Sequence, residues 1–293
     1  MNGAWQSDVY VGELRAGGKE LANTRRLTLD QSDDSPAFWT PDDQAVVFDS
    51  YRNGRSRIYR QRLDQIVPEL LSMDSEGDEF PRFGGPWIYF HSVPAGDRIS
   101  WNQPLGLRRI PENGGASNQV LRDTGIDIGC ADQKPEICAL VRLTGRTLTF
   151  YRFDHAKGQG PEIGRMEFNS RLFPSFGLSP DGSEIAVVDP KGTGNRIRRI
   201  PLDGGAYSEV EVTGRKGLEI LYWAADGKGW FVSSVTPGNG EYLLHVSPRG
   251  DSQVLYEQPQ DGRDTFGIPS HNGKQLAFLE WTAAKTIWMI DDF

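Results

Sequence analysis

The sequence predicts an all-β fold: a six-bladed β-propeller of four-stranded antiparallel blades, forming one domain over residues 1–293. Three observations predict it. Short strand-like runs recur as a unit, tight-turn dipeptides stand at the same place in several copies, and the second run of each copy is almost wholly apolar. The interval is about 45–48 residues, within the range of propeller blades built from four strands.

The clearest unit opens with Ser35-Pro36-Ala37-Phe38-Trp39-Thr40-Pro41-Asp42-Asp43 and continues through Ala45-Val46-Val47-Phe48-Asp49-Ser50. Arg57-Ile58-Tyr59-Arg60 and Pro68-Glu69-Leu70-Leu71-Ser72 complete it, giving four strand-forming runs separated by turn residues. Phe80-Pro81-Arg82-Phe83 begins a second copy and Ile126-Asp127-Ile128-Gly129 a degenerate third. Ser175-Phe176-Gly177-Leu178 with Ser179-Pro180-Asp181-Gly182 begins a clean fourth, Ile220-Leu221-Tyr222-Trp223 a fifth and Phe266-Gly267-Ile268-Pro269 a sixth. The units span roughly 35–74, 79–122, 123–168, 169–213, 217–257 and 262–293. Asp181-Gly182, Asp226-Gly227 and Asn272-Gly273 join first to second runs, where a tight hairpin needs positive φ. The apolar second runs suit strands buried on both faces between neighbouring blades.

The sixth unit ends with a third run, Ile287-Trp288-Met289-Ile290, and an N-terminal strand over 25–30, centred on Arg26-Leu27-Thr28-Leu29, is expected to close the ring. Val9-Tyr10-Val11-Gly12-Glu13-Leu14 then resembles the third strand of a blade whose first half is missing. That reading makes the chain the C-terminal part of a longer polypeptide.

Composition narrows the function. A net charge of −8 and a pI near 5.1 argue against nucleic-acid binding, which needs clustered Lys and Arg. No apolar run approaches the roughly 20 residues of a membrane span, and the N-terminus shows no signal peptide, so no membrane insertion by this chain is expected.

The Ser179-Pro180-Asp181-Gly182-Ser183-Glu184-Ile185-Ala186-Val187 and Ser35-Pro36-Ala37-Phe38-Trp39-Thr40-Pro41-Asp42 motifs resemble the repeat of TolB-like, WD-repeat-like propellers. Trp5-Gln6-Ser7-Asp8-Val9-Tyr10-Val11-Gly12-Glu13-Leu14 and Ile287-Trp288-Met289-Ile290-Asp291-Asp292-Phe293 are similar to the C-terminal propellers of bacterial membrane-anchored Ser/Thr kinases and winged-helix regulators. The resemblance implies an extracytoplasmic or periplasmic sensory or interaction domain within a signal-transduction protein. The second and third units lack the Pro-Asp-Gly turn and depart from the family pattern.

First strands of propeller blades line the central channel. Near or within them stand Asp33 and Asp34, Asp78 and Glu79, Asp127, Glu219 and Asp264, while the fourth unit offers Arg171. Such a ring of acids would focus negative potential on the axis and attract a cation, calcium among them, or a basic peptide. The alternative is that these acids bond local backbone amides in turns. Cys130 and Cys138 fall in adjacent strands of the third unit, where a disulfide and two buried thiols are both open. His91, His155, His245 and His271 share no metal-ligand spacing, and no nucleophile elbow or phosphate-binding loop is present. Among exposed aromatics, Trp101 in the long 94–104 loop is the best candidate platform. The reading is a non-catalytic binding or sensor module whose partner is a protein segment, peptide or small ligand at the channel mouth. A hydrolase or lyase with an axial site, and a structural scaffold, are the alternatives.

Overall fold

The computed structural model describes residues 5–52, 54–73, 76–94, 99–167, 173–188, 194–235, 240–258 and 264–283. Six separate four-stranded antiparallel sheets account for its secondary structure, and the described residues contain no helix.

The chain enters through β1 (Trp5–Arg15) and β2 (Glu20–Arg26) and then builds five blades from consecutive strands. Blade 1 comprises β3 (Asp33–Trp39), β4 (Ala45–Arg52), β5 (Arg55–Arg62) and the two-residue β6 (Glu69–Leu70). Blade 2 comprises β7 (Gly77–Gly84), β8 (Trp87–Val93), β9 (Pro104–Pro111) and β10 (Asn118–Thr124). Blade 3 runs through β11 (Ile126–Cys130), β12 (Cys138–Thr144), β13 (Thr147–Asp154) and β14 (Gly158–Glu167). Blade 4 holds β15 (Ser175–Leu178), β16 (Glu184–Val188), β17 (Arg196–Pro201) and β18 (Ser208–Glu211). Blade 5 holds β19 (Leu218–Trp223), β20 (Trp230–Val235), β21 (Glu241–Val246) and β22 (Ser252–Gln258).

Blade 6 takes two strands from each end of the chain. Its order is β2-β1-β24-β23, with β23 (Gly267–Pro269) innermost and β24 (Gln275–Ala283) second. The ring is therefore closed by N-terminal pairing, but not by a strand over 25–30. β1 runs antiparallel to β24 from Trp5↔Ala283 to Glu13↔Gln275, and β2 lies outside it. Leu27 and Thr28 follow β2 in a connection: Leu27 is buried, and the Thr28 hydroxyl accepts the Val9 amide at 3.1 Å. Val9–Leu14 is thus a third strand, as its pattern suggested, and the half-blade it lacks in sequence is β23 and β24. The Ile287–Ile290 run expected at that position lies outside the described residues.

The second strands are buried on both faces because each is sandwiched between adjacent blades. Val46, Phe48, Ile88, Phe90, Leu140, Ile185, Val187 and Val232 are all essentially inaccessible. The core is accordingly a series of inter-blade layers. One layer joins the two ends of the chain, packing Val9, Val11 and Leu279 of blade 6 with Trp39, Val46 and Phe48 of blade 1.

Repeated polar contacts hold the blades in register. Trp39 Nε1 donates to Ile268 O across the blade 6–blade 1 joint, and Trp223 Nε1 donates to Gly177 O across the blade 4–blade 5 joint, each at 2.9 Å. On the turn rim, Asp43 accepts the backbone amides of His271 (2.8 Å) and Asn272 (3.0 Å), tying blade 1 to blade 6 a second time. Inner strands must approach closely around the axis, and small residues permit it. A Cβ on Gly129 would stand 2.9 Å from the Phe176 ring of the next blade.

A candidate binding site in the central channel

The inner strands enclose an axial cavity of about 610 Å³, bordered by residues from all six blades. Strand alternation decides which acids reach it, since successive side chains face opposite ways. Asp33, Glu79, Asp127, Glu219 and Asp264 line the cavity; Asp34 and Asp78, one residue away from Asp33 and Glu79, do not. Asp34 is fully buried, 3.5 Å from Arg52. Burial raises its carboxyl to about 6, with Asp30 adding repulsion and Ser50, Thr28 and Arg52 opposing the rise. Asp78 is fully buried and paired with Arg57 at 3.1 Å. Arg171 lies outside the described residues.

Asp49, Asp132 and Arg82, which sequence reasoning did not single out, also line the channel. Among the described lining residues, seven carboxylates thus face one guanidinium. Asp49 breaks the otherwise apolar start of β4, and that break was the available signal. The channel walls desolvate its carboxyl, and Glu79 and Asp34 repel its charge, raising it to about 8. At neutral pH Asp49 is therefore mainly the protonated acid.

Asp127 has the opposite fate. Burial works against its ionisation, but Arg82 (3.6 Å), His91 Nε2 (3.1 Å) and the Ile128 amide (2.8 Å) outweigh it and hold the carboxyl below the usual range. Glu241, behind the rim, is raised to about 7 by burial and by the charges of Asp264 and Glu219.

Aromatic rings form a further part of the wall. β7 carries a bulge between Glu79 and Arg82, where Phe80 adopts φ +52° and leaves 39% of its surface exposed in the channel. A bulky residue in the left-handed region is strained by about 1–3 kcal/mol, so packing elsewhere must impose it. Trp101 reaches from the loop between β8 and β9 and stacks on Phe173 at the entry to blade 4, with centroids 4.4 Å apart. His91 meets the same indole edge-on at 5.0 Å, Phe80 lies 6.0 Å from it, and Phe176 continues the row beyond Phe173 at 6.4 Å. Of the tryptophans at repeat positions, Trp39, Trp223 and Trp230 are buried, although Trp223 also borders the cavity, whereas Trp87 is only partly buried, with the Arg109 guanidinium 4.2 Å from its ring centroid. Trp288 lies outside the described residues.

Cys130 and Cys138 stand directly opposite in the β11–β12 ladder and form a disulfide, with Cα atoms 4.0 Å apart. Cys130 borders the channel, so the crosslink supports the wall at its turn end. Among the described residues, no group of three or more His, Cys, Asp or Glu side chains converges closely enough to hold a metal ion. No described helix is long and apolar enough to cross a membrane.

No protein family and no curated protein matches the sequence. Solved structures do match the fold. A TolB-like protein from Agrobacterium tumefaciens superposes with a TM-score of 0.71 at 14% identity, over 96% of this chain and 100% of that one. TolB from Acinetobacter baumannii gives 0.58 at 17% identity, over 95% and 67%. An oligogalacturonate lyase in complex with manganese gives 0.55 at 13%, over 92% and 77%. Identities this low speak for the fold alone, because one fold hosts many activities. The architecture and these matches make the chain a six-bladed propeller of TolB-like fold.

Proposed function

We propose that the domain is a non-catalytic recognition module that takes a ligand or partner segment into its central channel. The supporting observation is the 610 Å³ axial cavity, in which acids from the inner-strand side of five blades converge. A pre-formed concave site with a few converging polar groups is the usual setting for ligand binding. The Cys130–Cys138 disulfide favours an oxidising compartment, which accords with an extracytoplasmic sensor domain of a larger signalling protein. A thermal-shift screen against basic peptides, sugars and divalent cations, with and without EDTA, tests this reading. Stabilisation by one class, lost when Glu79→Gln and Asp264→Asn are combined, is the expected result. No shift with any class would leave a scaffold role.

One observation favours a second reading, an axial hydrolase or lyase. Asp49 is a protonated acid at neutral pH, and it shares the channel with the ionised Asp127 and Arg82. Two carboxyls whose environments push their pKa values apart can divide acid and base roles. Turnover of oligogalacturonate or peptide substrates that disappears in Asp49→Asn would establish it; no turnover by the purified domain would leave the binding role.

A further inference from the structure

Aromatic rings and carboxylates share the channel wall. Trp101, which precedes β9 of blade 2, stacks on Phe173 at the entry to blade 4. Phe80, Trp101, Phe173 and Phe176 form an aromatic shelf. Glu79, Asp127 and Asp132 stand beside it. On blades 5, 6 and 1, Glu219, Asp264 and Asp33 share the wall with Tyr222, Phe266 and Trp281. Asp264 and Glu219 are close enough to Glu241 for both charges to act on it. Asp33 accepts the Ser7 amide beside them, at 3.2 Å.

We propose that the channel binds an organic cation with an apolar body: an aryl or alkyl ammonium, or the basic end of a peptide. This deepens the recognition role above and rests on it. The shelf takes the apolar body. Ring faces attract a cation electrostatically, and the channel carboxylates bring it into the cavity from solution. An anion of the same shape meets repulsion from those carboxylates, and a neutral molecule gains only the shelf.

The test is calorimetric titration of the intact domain with three probes of one shape: 2-phenylethylammonium, 2-phenylethanol and 3-phenylpropanoate. A fourth, acetyl-Phe-Arg-amide, separates a peptide source from a free amine according to which binds tighter. The cation should bind at least tenfold tighter than the alcohol and the anion least, with tighter binding at low salt. Glu219→Gln with Asp264→Asn should reduce the preference for charge, and Trp101→Leu should weaken all probes that bind. The acid substitutions are isosteric, and an unchanged melting temperature verifies folding. Equal binding of all three probes, still weakened by Trp101→Leu, overturns the cation specificity and keeps the channel as a site. Cation binding indifferent to every channel substitution overturns the channel site itself. Absence of binding by all four probes at millimolar concentration overturns both.

Discussion

Blades 4 and 2 solve the same problem differently. In blade 4 the turn between β15 and β16 satisfies itself. Ser179 donates to Asp181 at 2.7 Å and its hydroxyl accepts the Glu184 amide at 3.1 Å, while Asp181 accepts the Ser183 amide at 3.0 Å. Thr40 with Asp42 and Ser270 with Asn272 repeat the arrangement in blades 1 and 6. Blade 2 replaces it with Gly84-Gly85-Pro86, and blade 3 closes its turn with a disulfide. Those two blades also hold the bulge at Phe80, the loop bearing Trp101 and the His91–Asp127–Arg82 contacts. Regular units spend their polar groups on their own turns. The irregular pair adds to the channel acids supplied by blades 1, 5 and 6 the channel's one described guanidinium, Arg82, and the ring of Trp101.

The largest test of that division compares two tryptophans. Trp39→Ala removes a fully buried ring and its bond across the blade 6–blade 1 joint, and should cost about 3–5 kcal/mol in denaturant unfolding. Trp101→Ala should cost less than about half of that, because its ring is only partly buried over the cavity. Equal losses would erase the distinction between a structural and a recognition aromatic. Next in size is the crosslink. Replacing both cysteines by serine opens a loop with a sequence separation of 8 and should cost about 2–3 kcal/mol while the native circular dichroism persists. A loss of the whole fold would instead make blade 3 dependent on oxidation.

The third effect is a slope with pH. Asp34, Glu241 and Asp49 have folded pKa values of about 6, 7 and 8, raised above their unfolded ones. Their favourable contribution is complete below about pH 4 and is lost as pH rises through those values. Asp127, held low, acts in reverse: its contribution is present above about pH 4 and is lost on acidification. Unfolding free energy should therefore fall between pH 5 and 8, and Asp49→Asn should flatten the upper part of that decline. A decline unchanged in Asp49→Asn would mean that water reaches its carboxyl freely. The smallest effect belongs to the regular turn. Asp181→Ala should cost about 0.5–1 kcal/mol, since its hydrogen bonds are exposed and water replaces part of them. A cost near that of the tryptophan would show that the turn, not the inter-blade layer, sets stability.

The sequence by itself determined the blade count and the inner-strand positions, and it put carboxylates near the rim without separating Asp33 from Asp34 or Glu79 from Asp78. Each follows from local periodicity: two-residue alternation, turn dipeptides and a repeat near the length of a blade. Tertiary structure alone decided the rest. The sequence pattern places ring closure in an N-terminal strand at 25–30, but Val9–Leu14 closes the ring, and its partner β24 begins more than 250 residues later, beyond any local window. Asp34 and Asp78 have the same chemistry as their neighbours, and only the phase of the pleat turned them away from the axis. Asp49, Arg82 and the Trp101–Phe173 stack come from different strands and blades, and ring closure brings them to one cavity. Local pattern specifies which faces are apolar; pKa values and shared cavities depend on neighbours supplied from across the ring.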